Sequence, residues 1–269
     1  MTEPFRQRTE STLHLPEWEQ ELQGLTAGMT TRNGGFGEAP FYQLNLGLHV
    51  PDEPETVLKN RQHLASLLDF PLDSWVSGEQ VHGSKVKIIT REDRGKGAKD
   101  YATSIQGVDG ILTNDKGVML TAFYADCVPL FFMTKDSGWI GIAHAGWKGT
   151  VHDIGKRMVE ALEQQGVDRN DIKVAIGPSI GKAAYEVDQH VIDHVDKRHV
   201  EAAASNQSPG KYQLDLKRLN ELLLMDAGIK SENIATSSYC TYEERSLFFS
   251  HRRDQGKTGR MLGFIGWRS

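Results

Sequence analysis

The apolar positions of this chain fall into short runs, and the densest group lies at its middle. Val118–Tyr124, residues 128–133 and residues 139–143 are three such runs, bounded by Asp, Pro, Ser and Gly. Runs of that length between turn residues signal buried strands. Residues 120–150 therefore predict a strand meander, with the polar pair Asp126-Cys127 between the first two strands and His144 at the end of the third. Further strands are predicted at residues 27–31, Trp75–Ser77, 85–90, 108–113, 171–177, 234–238, 247–250 and 261–265.

Helical spacing marks the segments between them. Pro54 opens a helix of about fifteen residues whose apolar face carries Val57, Leu58, Leu64, Leu67 and Leu68, with Arg61 on or near that face. A second helix follows His144, with Thr150 as N-cap, Asp153 three positions on, a stripe of Val151, Ile154, Met158, Val159 and Leu162, and Gly166 as stop signal. A third is predicted over residues 185–200 and a fourth over 214–227, ended by Gly228. Residues 1–25 read as a polar lead-in with a short strand, and 202–211 as a loop. Strands and helices mix without a composition shift, so one α/β (mixed α+β) domain over residues 1–269 is expected.

Composition narrows the classes of function. At 269 residues the chain can bury a sizeable core, and 25% charged with 38% hydrophobic residues is ordinary globular usage. A net charge of −5 argues against a general nucleic-acid or anionic-membrane binder. The first twenty residues lack the apolar core of a signal peptide, and no apolar run reaches the roughly 18 residues of a spanning helix. Two cysteines, Cys127 and Cys240, make no disulfide framework, so a cytoplasmic protein with reduced thiols is expected.

Candidate chemistry gathers around the central meander. Cys127 and His144 stand seventeen positions apart, and His82 sits upstream in the turn Gly78-Glu79-Gln80-Val81-His82-Gly83. One Cys and two His suit zinc, whose catalytic sites keep three protein ligands and an open position. The same residues also fit a nucleophilic Cys127 with His144 as base, oriented by Asp109 or Asp126. A bland reading remains beside both, with Cys127 a small core residue and the histidines ordinary turn residues. Gly146-Trp147-Lys148-Gly149-Thr150 opens a helix, and unpaired N–H groups there, with Lys148, suit an anion. Arg61, if turned inward, and the glycine-rich loop at Arg32–Gly35 are further anion candidates. His190 and His194 share a helical face but lack the Glu of a zincin motif, so a solvated face is expected.

Taken as a set, several motifs resemble the laccase-domain proteins of the YfiH/YlmD type, among which are bacterial purine nucleoside phosphorylases. They are Asn45-Leu46-Gly47 with His49-Val50, Gln80-Val81-His82-Gly83, Ala125-Asp126-Cys127, His144-Ala145-Gly146-Trp147, Gly177-Pro178-Ser179-Ile180-Gly181 with Tyr185-Glu186-Val187, and Ser250-His251-Arg252-Arg253-Asp254. The match runs from Thr31 to Trp267; Pro51 and Lys148 depart from it, where Gly and Arg are usual. The resemblance implies layered mixed sheets with flanking helices, and zinc held by His82, Cys127 and His144. It implies phosphorolysis of adenosine, inosine and methylthioadenosine with phosphate, and adenosine deamination besides. Asn45, Arg61, Gly146 and Lys148 are the expected substrate and phosphate contacts, and a monomer is expected. Three alternatives stand beside this reading: a copper-dependent, laccase-like polyphenol oxidase, a Cys–His hydrolase, and a metal-binding interaction protein without turnover. The absence of any His-x-His pair weighs against a multicopper site.

Overall fold

Uninterrupted apolar runs predict strands with no wet face. The computed structural model, which describes residues 2–268, puts them in two sheets covered on both sides. The chain opens with β1 (Arg6–Gln7), β2 (Thr12–His14), α1 (Pro16–Glu21), β3 (Leu25–Thr30), α2 (Pro54–Leu68) and β4 (Trp75–Ser77). Then come β5 (Val86–Ile88), β6 (Gly110–Thr113), β7 (Val118–Tyr124), β8 (Val128–Thr134), β9 (Ile140–Ala145), α3 (Trp147–Val151) and α4 (Ile154–Glu163). The remainder is β10 (Ile172–Ile176), β11 (Glu186–Asp188), α5 (Gln189–Asp193), α6 (Lys197–Ala203), β12 (Ala204–Ser208), β13 (Lys211–Leu214), α7 (Leu216–Asp226), β14 (Ile234–Thr236) and β15 (Met261–Trp267).

The first sheet has the order β1-β2-β3-β15-β7-β4 and the second β14-β10-β8-β9-β6-β5, while β11-β13-β12 form a small third. Parallel and antiparallel pairs occur in both large sheets, which gives the mixed α and β architecture expected from the sequence. Strand β8 shows how the layers are built. Leu130 and Phe132 face α4 and α7, whereas Phe131 and Met133 face the first sheet. Alternation of side chains thus feeds two cores from one strand. Each fully buried Leu or Phe contributes about 1.5–3 kcal/mol by leaving water. On its far side the first sheet meets α2, where Leu64, Ala65 and Leu68 pack on Met119, Phe123, Leu262 and Phe264. No helix among the described residues is long and apolar enough to cross a membrane.

The structure departs from the expected elements at five places. Strands β7 and β8 are not a meander: β7 pairs with β15 and β4, β8 with β9 and β10, so Asp126-Cys127 is a crossing between sheets. Asp126 has φ of 86°, the left-handed conformation that turns the chain across. Thr150 is not an N-cap but a buried residue of α3, its hydroxyl accepting a hydrogen bond from Asn220 at 3.0 Å. The helix expected over residues 185–200 is broken into β11, α5 and α6, because Asp188 and Asp196 each accept a backbone N–H and start new helices. The loop expected at 202–211 contains β12, and no strand forms at 247–250.

Candidate metal centre and cavity

The crossing between the sheets brings three predicted residues together. His82, Cys127 and His144 offer ligand atoms within 4.8 Å of one another, the one such His/Cys/Asp/Glu group of three among the described residues. The β8–β9 ladder pairs Val128 with Ala145 and Pro129 with His144, which sets Cys127 beside the end of β9. Gly146 follows, and a Cβ there would lie 3.0 Å from His82 Cδ2 and 3.1 Å from Cys127 Sγ. Only glycine leaves room for the sulfur and the imidazole to close on each other.

Asp109 fixes two of the three residues at once. Its Oδ1 accepts a hydrogen bond from His144 Nδ1 at 2.9 Å and from the His82 N–H at 3.0 Å; Oδ2 accepts from the N–H groups of Val81 at 3.2 Å and Gly83 at 2.8 Å. Three consecutive amides on one carboxylate hold His82 at φ 59°, a conformation non-glycine residues seldom adopt. The Nδ1–H of His144 is committed to Asp109, so its Nε2 lone pair is the one left for a ligand bond. Burial pushes the Asp109 carboxyl up, but the hydrogen bonds from His144 and the loop amides outweigh it and hold it low. For Cys127, burial likewise pushes the thiol up, yet the imidazoles of His144 and His82 bring it down to about 6. Burial works against charge on His144, but the Cys127 sulfur and Asp109 raise it to about 9. A thiolate beside two imidazoles is a soft-plus-borderline donor set, which fits zinc or copper and not magnesium or calcium.

The triad opens on a cavity of about 330 Å³ that is also lined by His49, Phe123, Tyr185, His251, Arg252 and Arg260. Arg260 spends one guanidinium nitrogen on the carbonyls of Thr258 and Gly259, at 2.8 and 3.0 Å. Burial lowers its pKa, and the negative sulfur of Cys127 and carboxylate of Asp126 offset that. Arg252 lies 5.2 Å over the Tyr185 ring. Burial raises the Tyr185 phenol well above its ordinary value, so it stays protonated. Desolvation within the cavity, with the cations of Arg260 and Arg61, pushes His49 down to about 4, so its imidazole is neutral.

The weaker sequence candidates land elsewhere. Asn45 is buried below the cavity, where its Oδ1 accepts from the N–H groups of Gly47 at 3.1 Å and Arg260 at 2.9 Å, and so shapes the His49 loop. Arg61 does turn inward, but onto the carbonyls of Leu46, Gly97 and Ala98 at 2.7–2.9 Å and 4.7 Å over the Phe123 ring; burial lowers it to about 9. Gly146 belongs to the triad's packing. Lys148 is exposed, its ammonium 5.7 Å from the Trp147 ring, and it does not line the cavity. Arg32 donates to the Tyr42 carbonyl and lies over Phe249, away from the cavity lining. His190 and His194 pack edge-on against Trp147, with rings 5.9 and 5.8 Å from it. Sequence reasoning missed Arg260 and Tyr185 as site residues; the basic run of residues 249–260, which ends on Arg260, and the Tyr185-Glu186-Val187 motif are the signals that hold them.

The family described as multi-copper polyphenol oxidoreductase laccase matches residues 26–268. The chain is 49% identical over 271 residues to a Bacillus subtilis protein named purine nucleoside phosphorylase YlmD, covering 98% of each. Among solved structures, YlmD from Geobacillus stearothermophilus superposes with a TM-score of 0.94 at 43% identity, covering 100% of both chains. The Bacillus licheniformis hypothetical protein YfiH superposes with a TM-score of 0.95 at 44% identity, covering 98% of this chain and 99% of that one.

Proposed function

The chain belongs to the multi-copper polyphenol oxidoreductase laccase family, and from that premise and its cavity we propose that it is a zinc-dependent purine nucleoside phosphorylase. Its substrates in this reading are adenosine, inosine and methylthioadenosine with inorganic phosphate, and it deaminates adenosine as a further activity. The name purine nucleoside phosphorylase, borne by these relatives, supports the reaction class. The observation that carries the reading is one cavity with a Cys–His–His triad and a half-buried arginine in its wall. A second copper centre finds no further ligand group of three among the described residues, which disfavours the oxidase alternative.

His82, Cys127 and His144 would hold the metal, with Asp109 keeping His144 in the tautomer that offers Nε2. A zinc ion bound there supplies Lewis acidity, of the kind that brings the pKa of water to about 7. In phosphorolysis a phosphate oxygen bonds to C1′ as the bond from C1′ to N9 breaks, and the base leaves with the electron pair and takes a proton. The chain's part is mainly to bind and orient. Arg260, rather than Lys148, is the anion holder, since its guanidinium lies in the cavity and keeps donors for a dianion. Phe123 and Tyr185 offer aromatic faces to a purine, and neutral His49 offers one ring donor and one ring acceptor. A volume of about 330 Å³ falls within the range of small-molecule pockets.

The test is base release from inosine, followed by chromatography, in phosphate-free buffer and across added phosphate. The expected products are hypoxanthine and ribose 1-phosphate, with release dependent on phosphate; Arg260→Ala should raise the phosphate KM at least tenfold, and Lys148→Ala should not. Phosphate-independent release with free ribose identifies a hydrolase and rejects the proposal. Elemental analysis should give zinc near one equivalent, and full activity of metal-free protein refutes the metal requirement.

A further inference from the structure

Asp126 stands next to Cys127 and is only 8% exposed, yet it offers no ligand to the metal triad. Its carboxylate is taken up otherwise. Oδ1 accepts the Thr241 hydroxyl at 2.6 Å, and Oδ2 accepts the Ser250 hydroxyl at 3.0 Å and the Arg252 N–H at 2.7 Å. Its main-chain carbonyl accepts the Ile180 N–H at 3.0 Å. Thr241 and Ser250 are fully buried, so these bonds lie out of bulk water, where a carboxylate left without donors is costly.

Those four bonds tie three segments, distant in sequence, to the residue before the metal-binding sulfur. Ile180, His251 and Arg252 line the same cavity as Cys127. Arg252 is held at its main chain by Asp126, and its guanidinium then reaches the Glu186 carbonyl at 2.9 Å and lies over Tyr185, another cavity residue. The left-handed φ of 86° at Asp126 is the conformation that points its carboxylate one way along the crossing and passes Cys127 on to β8. We propose that Asp126 is a positioning residue which sets the Cys127 sulfur and the cavity wall of Ile180, His251 and Arg252 in a single register, so that metal site and substrate pocket are built on one carboxylate. The part of this inference that concerns the substrate rests on the phosphorylase reading; the part that concerns the metal and the wall does not.

Two substitutions separate hydrogen-bond geometry from charge. In Asp126→Asn the amide oxygen can take the Oδ2 place and keep Ser250 and Arg252, while the amide nitrogen donates to the Thr241 oxygen, which can turn to accept. Asn also tolerates positive φ, so the register survives. Asp126→Gly keeps the backbone conformation and removes all three side-chain bonds. The full chain, loaded with zinc, is compared in both variants by chelator competition, by tryptic cleavage at Arg252 and Arg253 against cleavage at Lys211, and by inosine KM and kcat. Asp126→Gly is expected to weaken metal binding by about 10–100-fold. It should speed cleavage at Arg252 and Arg253 selectively and raise KM more than it lowers kcat, while Asp126→Asn stays within about threefold of the parent. A merely structural role would lower the melting temperature and speed cleavage at all sites alike. If Asp126→Gly keeps parental metal affinity and loop protection, or Asp126→Asn is as damaged as Asp126→Gly, the proposal is wrong. Should Asp126→Gly not fold, Ser250→Ala removes the bond to Asp126 together with the one Ser250 accepts from the Arg253 N–H at 3.1 Å, and unchanged cleavage at Arg252 in that variant overturns the idea. Were the parent to turn over no nucleoside, the phosphorylase reading would fail while the metal and protease measurements still judged Asp126.

Discussion

Replacing Asp109 by Asn is the sharpest probe of the metal centre, because one carboxylate there accepts four hydrogen bonds. An amide cannot accept on both sides. With its oxygen at the Oδ1 place, the NH₂ faces the Val81 and Gly83 N–H groups, two donors against donors. With its oxygen at Oδ2, the NH₂ faces the His82 N–H and forces His144 to accept at Nδ1, moving its proton to Nε2 and removing the lone pair a metal needs. Either way about two charge-assisted bonds are lost, each worth roughly 1.5–3 kcal/mol, so a destabilisation of about 3 kcal/mol is expected. For a chain of this size that is a fall in melting temperature of about 6 °C. Zinc affinity should drop by about 10–100-fold, the range seen when the partner of a ligating histidine is lost. Calorimetry of the metal-free chain reads the first number and chelator competition the second. An Asp109→Asn protein with parental melting temperature and zinc affinity within about threefold would refute the reasoning.

Gly146→Ala puts a methyl 3.0–3.1 Å from His82 and Cys127, so zinc affinity should fall at least tenfold, with circular dichroism unchanged because φ at Gly146 is −66°, open to any residue. Iodoacetamide should label Cys127 after chelation and spare it in the zinc form, read by peptide mass spectrometry; equal labelling of both forms would make Cys127 a nucleophile and not a ligand. Glu19 is held below its ordinary pKa: burial pushes it up, but His14, Arg8 and the Ala27 N–H together outweigh that. Its stabilisation is therefore complete above its unfolded value of about 4.5 and is lost as pH falls through the lower folded value, so Glu19→Gln should cost about 1–2 kcal/mol at pH 7 and progressively less as the medium is acidified, measured by urea melts.

The sequence made the strands legible wherever both faces are buried. Val118–Tyr124 forms β7 with every residue buried, and the apolar run from Val128 forms β8 likewise. What period and run length cannot convey is which sheet a strand joins, so the crossing at Asp126-Cys127 looks in the sequence like the turn of a meander. Helices survived where an amphipathic stripe was long, as in α2, and failed over residues 185–200, where aspartates at 188 and 196 offered side-chain caps that end one element and begin another. The metal triad came from motif resemblance, since spacings of seventeen and forty-five positions fit no local rule. Lys148 and Arg260 show the limit of reading anion sites from local sequence. A glycine turn opening a helix invites the first, but the fold points the cavity at the second, more than a hundred positions away.

Strand β15 lies between β3 and β7 and is hydrogen-bonded to both, although β3 was laid down more than two hundred residues earlier. Until Met261–Trp267 has been synthesised, β3 and β7 each present a row of unpaired amides and carbonyls along fully buried apolar strands. Such edges are templates for pairing with other chains. The nascent protein therefore carries its greatest aggregation hazard late, and a chaperone that shields it must hold on until the final rung is inserted. Arg260 immediately precedes that rung, so the arginine of the cavity wall is fixed in the same event that closes the sheet. A chain interrupted before this point lacks Arg260 and the strand that follows it, and so cannot offer a finished pocket.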